Sequence, residues 1–177
     1  GFQASVIERT IAGGHSLVLM PTGGGKSLCF QIPALVFRNQ HYSPDSRKPI
    51  TLVLSPLVAL MKDQVDTLMR KGIDVTMVNS LLGRQEREKR YAGIEEGRYS
   101  MLYVTPERFR KPEFVDAIAK RHVVLLAVDE AHCISEWGHD FRPEYRKIAE
   151  LRTAFPDTPI IALTATATDR VRADVVR

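Results

Sequence analysis

Two cysteines, one tryptophan and no apolar run of membrane-spanning length are what the 177 residues most plainly hold little of. Cys29 and Cys133 lie far apart and lack the CxxC spacing of a zinc or thiol-redox centre, so they read as buried free thiols of a reducing compartment. No apolar stretch approaches the ~20 residues that cross a bilayer, and the N-terminus lacks the basic-then-apolar layout of a signal peptide. The expectation is an intracellular protein with no membrane partner, cytoplasmic in a bacterium or nuclear in a eukaryote. An initiator methionine is also missing: the chain opens at Gly1 and stops at Arg177 inside a helical pattern, as expected of a piece of a longer protein. Internal repeats and low-complexity tracts are absent.

What is there is ordinary for a folded domain. Hydrophobic residues make up 44% and charged residues 26% of the chain, well away from the composition of disordered segments, and the length suits one core. The formal charge of +4 favours phosphate-bearing partners without identifying one.

Short apolar runs rich in β-branched residues alternate with amphipathic stretches, the pattern of βαβ units around a mostly parallel sheet. Strands are predicted at Ser16–Met20, Thr51–Ser55, Val75–Asn79, Met101–Thr105, Val123–Val128 and Ile160–Thr164. Helical spacing covers Ser27–Phe37, Leu57–Lys71, Arg84–Glu96, Pro112–Lys120, Glu144–Phe155 and Thr168–Val176. The expected fold is a three-layer, doubly wound α/β domain. Arg38–Pro49 is polar and aperiodic, a surface loop by composition, and the mixed charges of Gly83–Arg98 read as a solvated helix face.

The strand-like Leu17–Met20 runs into Pro21-Thr22-Gly23-Gly24-Gly25-Lys26-Ser27 and then a helix start. This is the setting of a phosphate-binding loop: glycines let backbone N–H groups curl around an anion, and the helix N-terminus adds its positive end. Lys26 would reach the β- and γ-phosphates of ATP, and the Ser27 hydroxyl would ligate Mg²⁺. Met20 stands where the GxxxxGK[ST] pattern has its first glycine.

Apolar Val123–Val128 leads directly into Asp129-Glu130-Ala131-His132, so two acids leave the carboxyl end of a buried strand, where open α/β sheets bind ligands. Asp129 is assigned to Mg²⁺ and Glu130 to the water that attacks the γ-phosphate, because a metal-bound acid is poorly placed to accept a proton. His132 would sense the γ-phosphate. Further on, Trp137, Phe141 and Tyr145 interleave with His139 and Arg142, combining stacking faces with cationic donors as sequence-tolerant single-strand binding does.

At this point the residues resemble a known family. MPTGGGKS (Met20–Ser27), DEAHCISEWGHDFRPEY (Asp129–Tyr145), LTATAT (Leu163–Thr168), YVTPER (Tyr103–Arg108) and SPLVALMKDQV (Ser55–Val65) are similar, in this order, to the motifs of RecQ DNA helicases. The tract Trp137–Tyr145 discriminates, since RNA helicases share DEAH. The resemblance implies the first RecA-like P-loop NTPase domain of a 3′-to-5′ DNA helicase, acting in repair and recombination on single-stranded and forked DNA. It also implies an adenine-reading role for Gln3. Thr164 and Thr166 would link the nucleotide site to the DNA site, and Ser55, Thr105 and Glu107 would contact strand phosphates or stabilise their loops. An arginine opposite the γ-phosphate would come from a second RecA-like domain of the same polypeptide, which this stretch lacks together with the family's zinc-binding and winged-helix regions. The rival readings are a DEAH-type RNA helicase domain, an ATP-gated non-catalytic DNA-binding module, and a small-molecule kinase, for which no acceptor lid is visible.

Overall fold

The computed structural model describes residues 1–40, 47–138 and 140–177. Six strands, β1 (Ser16–Leu19), β2 (Pro49–Leu54), β3 (Val75–Val78), β4 (Met101–Val104), β5 (His122–Val128) and β6 (Ile160–Thr164), form one sheet in the order β1-β6-β5-β2-β4-β3. Every pairing is parallel. All six strand positions expected from apolar runs are therefore filled, to within a residue or two at the ends.

The described α-helices are α1 (Phe2–Ile11), α2 (Leu28–Gln40), α3 (Val58–Arg70), α4 (Arg84–Glu95), α5 (Pro112–Ala119), α6 (Lys147–Ala154) and α7 (Asp169–Val176), with short 3₁₀ turns at Pro106–Arg110, Ala131–Ile134 and Pro143–Arg146. Connections through α2 and α3 carry the chain away from β1 toward β3, and those through α4, α5 and α6 bring it back. Right-handed crossovers then require the two sets to cover opposite faces. Two apolar clusters bear this out. Val6, Phe30, Phe37, Met61 and Leu68 pack with Val53, Leu125 and Ala127 on one face. Ile94, Phe114, Ile118, Ile148 and Leu151 pack with Leu52, Leu54, Leu126 and Val128 on the other. Alternate residues of β2 and β5 thus feed different clusters, and the sheet is the middle of three layers.

One irregularity breaks that alternation. The register between β2 and β5 shifts between Ile50 and Thr51, leaving Val124 as an extra residue of β5. As a result Val124 and Leu125 both face the α2 side; a bulge is what allows two consecutive side chains to share a face.

The remaining differences from the sequence reading are local. Helix α1 was not expected; only Val6 and Thr10 are buried on it, too little apolar pattern to announce a helix. The stretch read as one helix over Glu144–Phe155 starts as a 3₁₀ turn, Pro143–Arg146, and becomes α-helical only at Lys147. Of the expected loop over Arg38–Pro49, Arg38–Gln40 extend α2 and Pro49 opens β2, while 41–46 lie outside the described residues. The charged run is the solvated helix α4, whose Arg84–Glu88 and Glu86–Arg90 pairs bridge one turn while Tyr91 and Ile94 face inward.

At the amino end of the strands a buried cation ties several elements together. Arg121 is 3% exposed and donates to the carbonyls of Lys48 (3.0 Å), Pro49 (2.8 Å), Ile94 (3.0 Å) and Tyr99 (2.5 Å). Burial lowers its pKa to about 10, so the guanidinium stays charged at neutral pH. Replacing it by Met strands acceptors on β2, α4 and the turn before β4. Arg121→Met is expected to destabilise the domain by about 3 kcal/mol or more, read as a lower urea midpoint, with Arg121→Lys intermediate.

Candidate nucleotide site and aromatic loop

Because the sheet is wholly parallel, the residues that follow β1, β2, β4, β5 and β6 all emerge at one edge. The glycine-rich loop leaves β1 there. Gly23 and Gly25 have φ of 81° and 79°, and a Cβ on Gly25 would meet the Gln3 amide at 2.2 Å. Gln3 donates to the carbonyls of Gly24 (3.0 Å) and Gly25 (3.2 Å), so helix α1 steadies the loop from outside. Met20, where the common pattern has glycine, is accommodated because its side chain turns into the core, 7% exposed, beneath Gly24. Its carbonyl accepts from Lys26 Nζ at 3.1 Å, which folds the lysine back across the mouth of the loop. Ser27 precedes α2, and its Oγ accepts from Gln64 Nε2 at 3.1 Å.

The acidic pair follows β5. Asp129 continues the sheet, its N–H donating to Leu54 at 2.8 Å, and it is 8% exposed. Glu130 then adopts φ 51° and ψ 45°, the one left-handed non-glycine residue among those described. A glutamate held there costs of order 1–3 kcal/mol, which the surroundings must offset. Three contacts hold the turn: Glu130 N–H donates to Asp129 Oδ1 (3.0 Å), Tyr145 OH to the Asp129 carbonyl (3.1 Å), and Cys133 N–H to the Glu130 carbonyl (2.9 Å).

The His132 ring links the turn after β5 to Thr164 of β6. Thr164 Oγ1 lies 2.8 Å from His132 Nδ1 and 3.1 Å from the Thr166 carbonyl. Glu130 Oε2 lies 3.4 Å from the same Nδ1. This nitrogen faces inward, toward Thr164 and Glu130.

Burial pushes the Asp129 carboxyl up to about 6; neighbouring Glu130 adds to the rise, while the Glu130 N–H and the Lys26 ammonium oppose it. A carboxyl that holds its proton more tightly folded than unfolded supports the fold below its ordinary value of 3.8, and that support is lost as the pH rises through about 6. In magnesium-free buffer Asp129→Asn is therefore expected to stabilise the domain increasingly with pH. The gain should grow by about 2 kcal/mol between about pH 4.5 and about pH 7.5 in denaturant titrations.

Beyond the acids, the loop expected to carry stacking faces is divided. Trp137 is 57% exposed. Tyr145 is fully buried, so it offers no face to a base; its apolar neighbours hold the ring and its hydroxyl serves the Asp129 turn, which corrects its reading as a stacking residue. Phe141 is half-buried under the Arg146 guanidinium, 5.4 Å from the ring centre. The cation on Trp137 is Arg170 of α7, 3.2 Å from the ring centre, not Arg142, which pairs with Asp140 at 3.3 Å. Ser135 Oγ donates to Asp174 of α7 at 2.7 Å, a second tie between loop and helix. At Gly138 a Cβ would meet the His132 carbonyl at 2.3 Å, so only glycine lets the loop fold back on the DEAH turn. His139 lies outside the described residues.

Ser55 and Thr105 stand side by side at the ends of β2 and β4, only 2% and 4% exposed. Ser55 Oγ accepts from Leu57 N–H (3.4 Å) and Thr105 Oγ1 donates to Glu107 (2.5 Å), so these hydroxyls stabilise their own loops. The two cysteines are buried and free; burial and Asp140 push the Cys133 thiol up to about 12, which leaves it protonated. Sequence reasoning missed Arg170, Asp174, Gln31 and the roles of Gln64 and Tyr103. Each acts across elements distant in the chain, where spacing gives no signal.

A parallel sheet with a lysine-bearing glycine loop and a carboxylate pair at one edge has the architecture of a RecA-like α/β domain. A family model for the DEAD/DEAH box helicases matches residues 1–175, and the chain belongs to that family. It is 46% identical over 175 residues to the ATP-dependent DNA helicase RecQ of Pasteurella multocida (strain Pm70), covering 99% of this chain and 26% of that protein. With the RecQ of Bacillus subtilis (strain 168) it shares 48% identity over 164 residues, 92% of this chain and 26% of that protein. The chain thus spans about a quarter of the length of these relatives. In fold it is similar to the crystal structure of the DUF1998 helicase MrfA bound to DNA and AMPPNP, with a TM-score of 0.72 at 20% identity, over 98% of this chain and 25% of that one.

Proposed function

We propose that the chain is the ATP-binding, first RecA-like domain of a RecQ-like DNA helicase, in which ATP hydrolysis drives 3′-to-5′ movement along one DNA strand and opens duplex. The observation that carries this reading is the shared edge: the Lys26 ammonium is near enough to Asp129 to act on its carboxyl, and Tyr145 OH bonds the aromatic tract to the Asp129 carbonyl. The identity to RecQ helicases across nearly the whole chain supports it.

In this reading the N–H groups of Gly23–Ser27 and the Lys26 ammonium receive the phosphates, and Thr22 and Gln3 border the nucleotide. Ser27 Oγ and Asp129 would hold Mg²⁺. They suit it: both offer hard oxygens, and a carboxylate that burial disfavours gains from a cation beside it. When bound, the ion neutralises charge developing on the transferred phosphoryl group. Glu130, turned out of the strand by its left-handed backbone, accepts the proton of the attacking water. Lys26 must leave the Met20 carbonyl to reach the phosphates. His132, Thr164 and Thr166 connect this centre to the aromatic loop, where Trp137, His139, Phe141 and Arg142 meet single-stranded DNA. Ser55, Thr105 and Glu107 shape loops along the same edge. The arginine that completes phosphoryl transfer is supplied by a second RecA-like domain, and we place the whole activity inside the cell.

Two sets of measurements test the proposal. The 177-residue chain is expected to bind ATP–Mg²⁺ weakly and to separate no strands; unwinding by it alone would overturn the domain assignment. In a protein carrying a second RecA-like domain, single-stranded DNA should stimulate hydrolysis more than RNA does. There Glu130→Gln should lower kcat by about 10²–10⁴-fold while nucleotide binding persists. Trp137→Ala should abolish the stimulation rather than basal turnover; unchanged stimulation in both Trp137→Ala and Arg142→Ala would remove the coupling role of the loop.

A further inference from the structure

Between the phosphate loop and β4 runs a hydrogen-bonded chain of four side chains. Gln31 Nε2 donates to Tyr103 OH (3.1 Å), Tyr103 OH to Gln64 Oε1 (2.8 Å), and Gln64 Nε2 to Ser27 Oγ (3.1 Å). Ser27 and Gln31 sit one turn apart at the start of α2, Gln64 belongs to α3 and Tyr103 to β4. The chain therefore grips the first turn of α2 from two other elements.

Its polarity follows from the Gln31 amide nitrogen facing the Tyr103 hydroxyl. The Gln31 amide nitrogen can only donate, so the Tyr103 hydroxyl accepts there and spends its proton on Gln64 Oε1. With its oxygen taken, the Gln64 amide must present N–H to Ser27. Ser27 Oγ then accepts from one side, its own proton is turned away from Gln64, and its second lone pair remains for another partner.

The placement is costly unless used. Gln64 lies between Met61 and Val65 on the apolar stripe of α3, and Tyr103 is 1% exposed with its ring edge against Phe30. Apolar residues would fill both positions at no desolvation cost to an amide or hydroxyl. Burial pushes the Tyr103 hydroxyl well above its usual range, so it remains a donor throughout the physiological span.

We propose that Gln64 and Tyr103 are positioning residues for the divalent cation at the phosphate loop, holding the Ser27 hydroxyl in the orientation that exposes a lone pair to the ion. This rests on the nucleotide-site reading given above. The relay also joins that hydroxyl to α3, which follows the Ser55 loop, and to β4, which leads into Thr105.

Calorimetric titration of the 177-residue chain with AMPPNP, in magnesium and in EDTA, separates the two readings. Gln64→Leu and Tyr103→Phe are expected to lose about fivefold of the tightening that magnesium gives, the worth of one hydrogen bond, with EDTA affinities within about twofold of wild type. Ser27→Ala should lose most of that tightening. If Ser27→Ala loses it while Gln64→Leu and Tyr103→Phe keep it, the relay has no positioning role and the inference falls alone. Full magnesium tightening in Ser27→Ala would instead overturn the nucleotide-site reading. Gln64 is partly exposed, so Gln64→Leu carries the test if Tyr103→Phe melts early.

Discussion

Parallel pairing of all six strands is the constraint from which the rest follows. A parallel ladder cannot be closed by tight turns, so each strand must be followed by a crossover, and each crossover starts at the same edge. Five loops that are remote in sequence are thereby brought within reach of one another without any contact designed for the purpose. The opposite edge has the reverse task. Arg121 gathers carbonyls there from several elements: Lys48 and Pro49 where β2 begins, Tyr99 ahead of β4 and Ile94 of α4. One edge is thus tied together by a structural cation, and the other is left open to ligands.

At the open edge the polar groups are held in conformations they would not adopt alone. Glu130 in the left-handed region, Asp129 buried beside it and Lys26 folded onto the Met20 carbonyl are each unfavourable or unproductive in isolation. An anion with its cation would relieve the last two of these. Lys26 would exchange a neutral carbonyl for phosphate oxygens, and Asp129 would gain a positive neighbour. The backbone of Glu130 would stay as it is, because Asp129 Oδ1, Cys133 N–H and Tyr145 OH fix it independently of ligand.

How much of this the sequence disclosed follows the range over which each interaction acts. Strands such as Leu52–Leu54 and Leu125–Val128 are legible because burial on two faces demands continuous apolar runs. The glycine loop and the DE pair are legible because their chemistry needs fixed residue types a few positions apart. Tyr145 shows the limit. Its spacing from Trp137 and Phe141 suggests three stacking rings, but a tyrosine has two ends, and nothing local says that the ring belongs in the core while the hydroxyl reaches back to Asp129. Arg170 is hidden for a similar reason: it approaches Trp137 from α7, across β6, and no motif links them. Helix α1 shows a third kind of silence, because a helix that buries only Val6 and Thr10 has almost no periodic signature.

The Trp137–Arg170 stack bears on how the proposed DNA site would engage. An exposed cation–aromatic pair is worth about 0.5–1 kcal/mol, and stacking of a base on the same ring about 1–3 kcal/mol. A base that displaced Arg170 would therefore gain only modestly from the exchange. The displaced guanidinium, however, would be released beside the strand, where it can pair with a phosphate. The ring and the cation are thus held together by an interaction weak enough for a strand to divide. Dividing it also loosens one of the two described ties between the loop and α7, leaving the Ser135–Asp174 bond to hold the register. Because Ser135 is only two residues before Trp137 and two after Cys133, a pull on the ring is delivered to the DEAH turn through a short and otherwise well-bonded stretch of backbone.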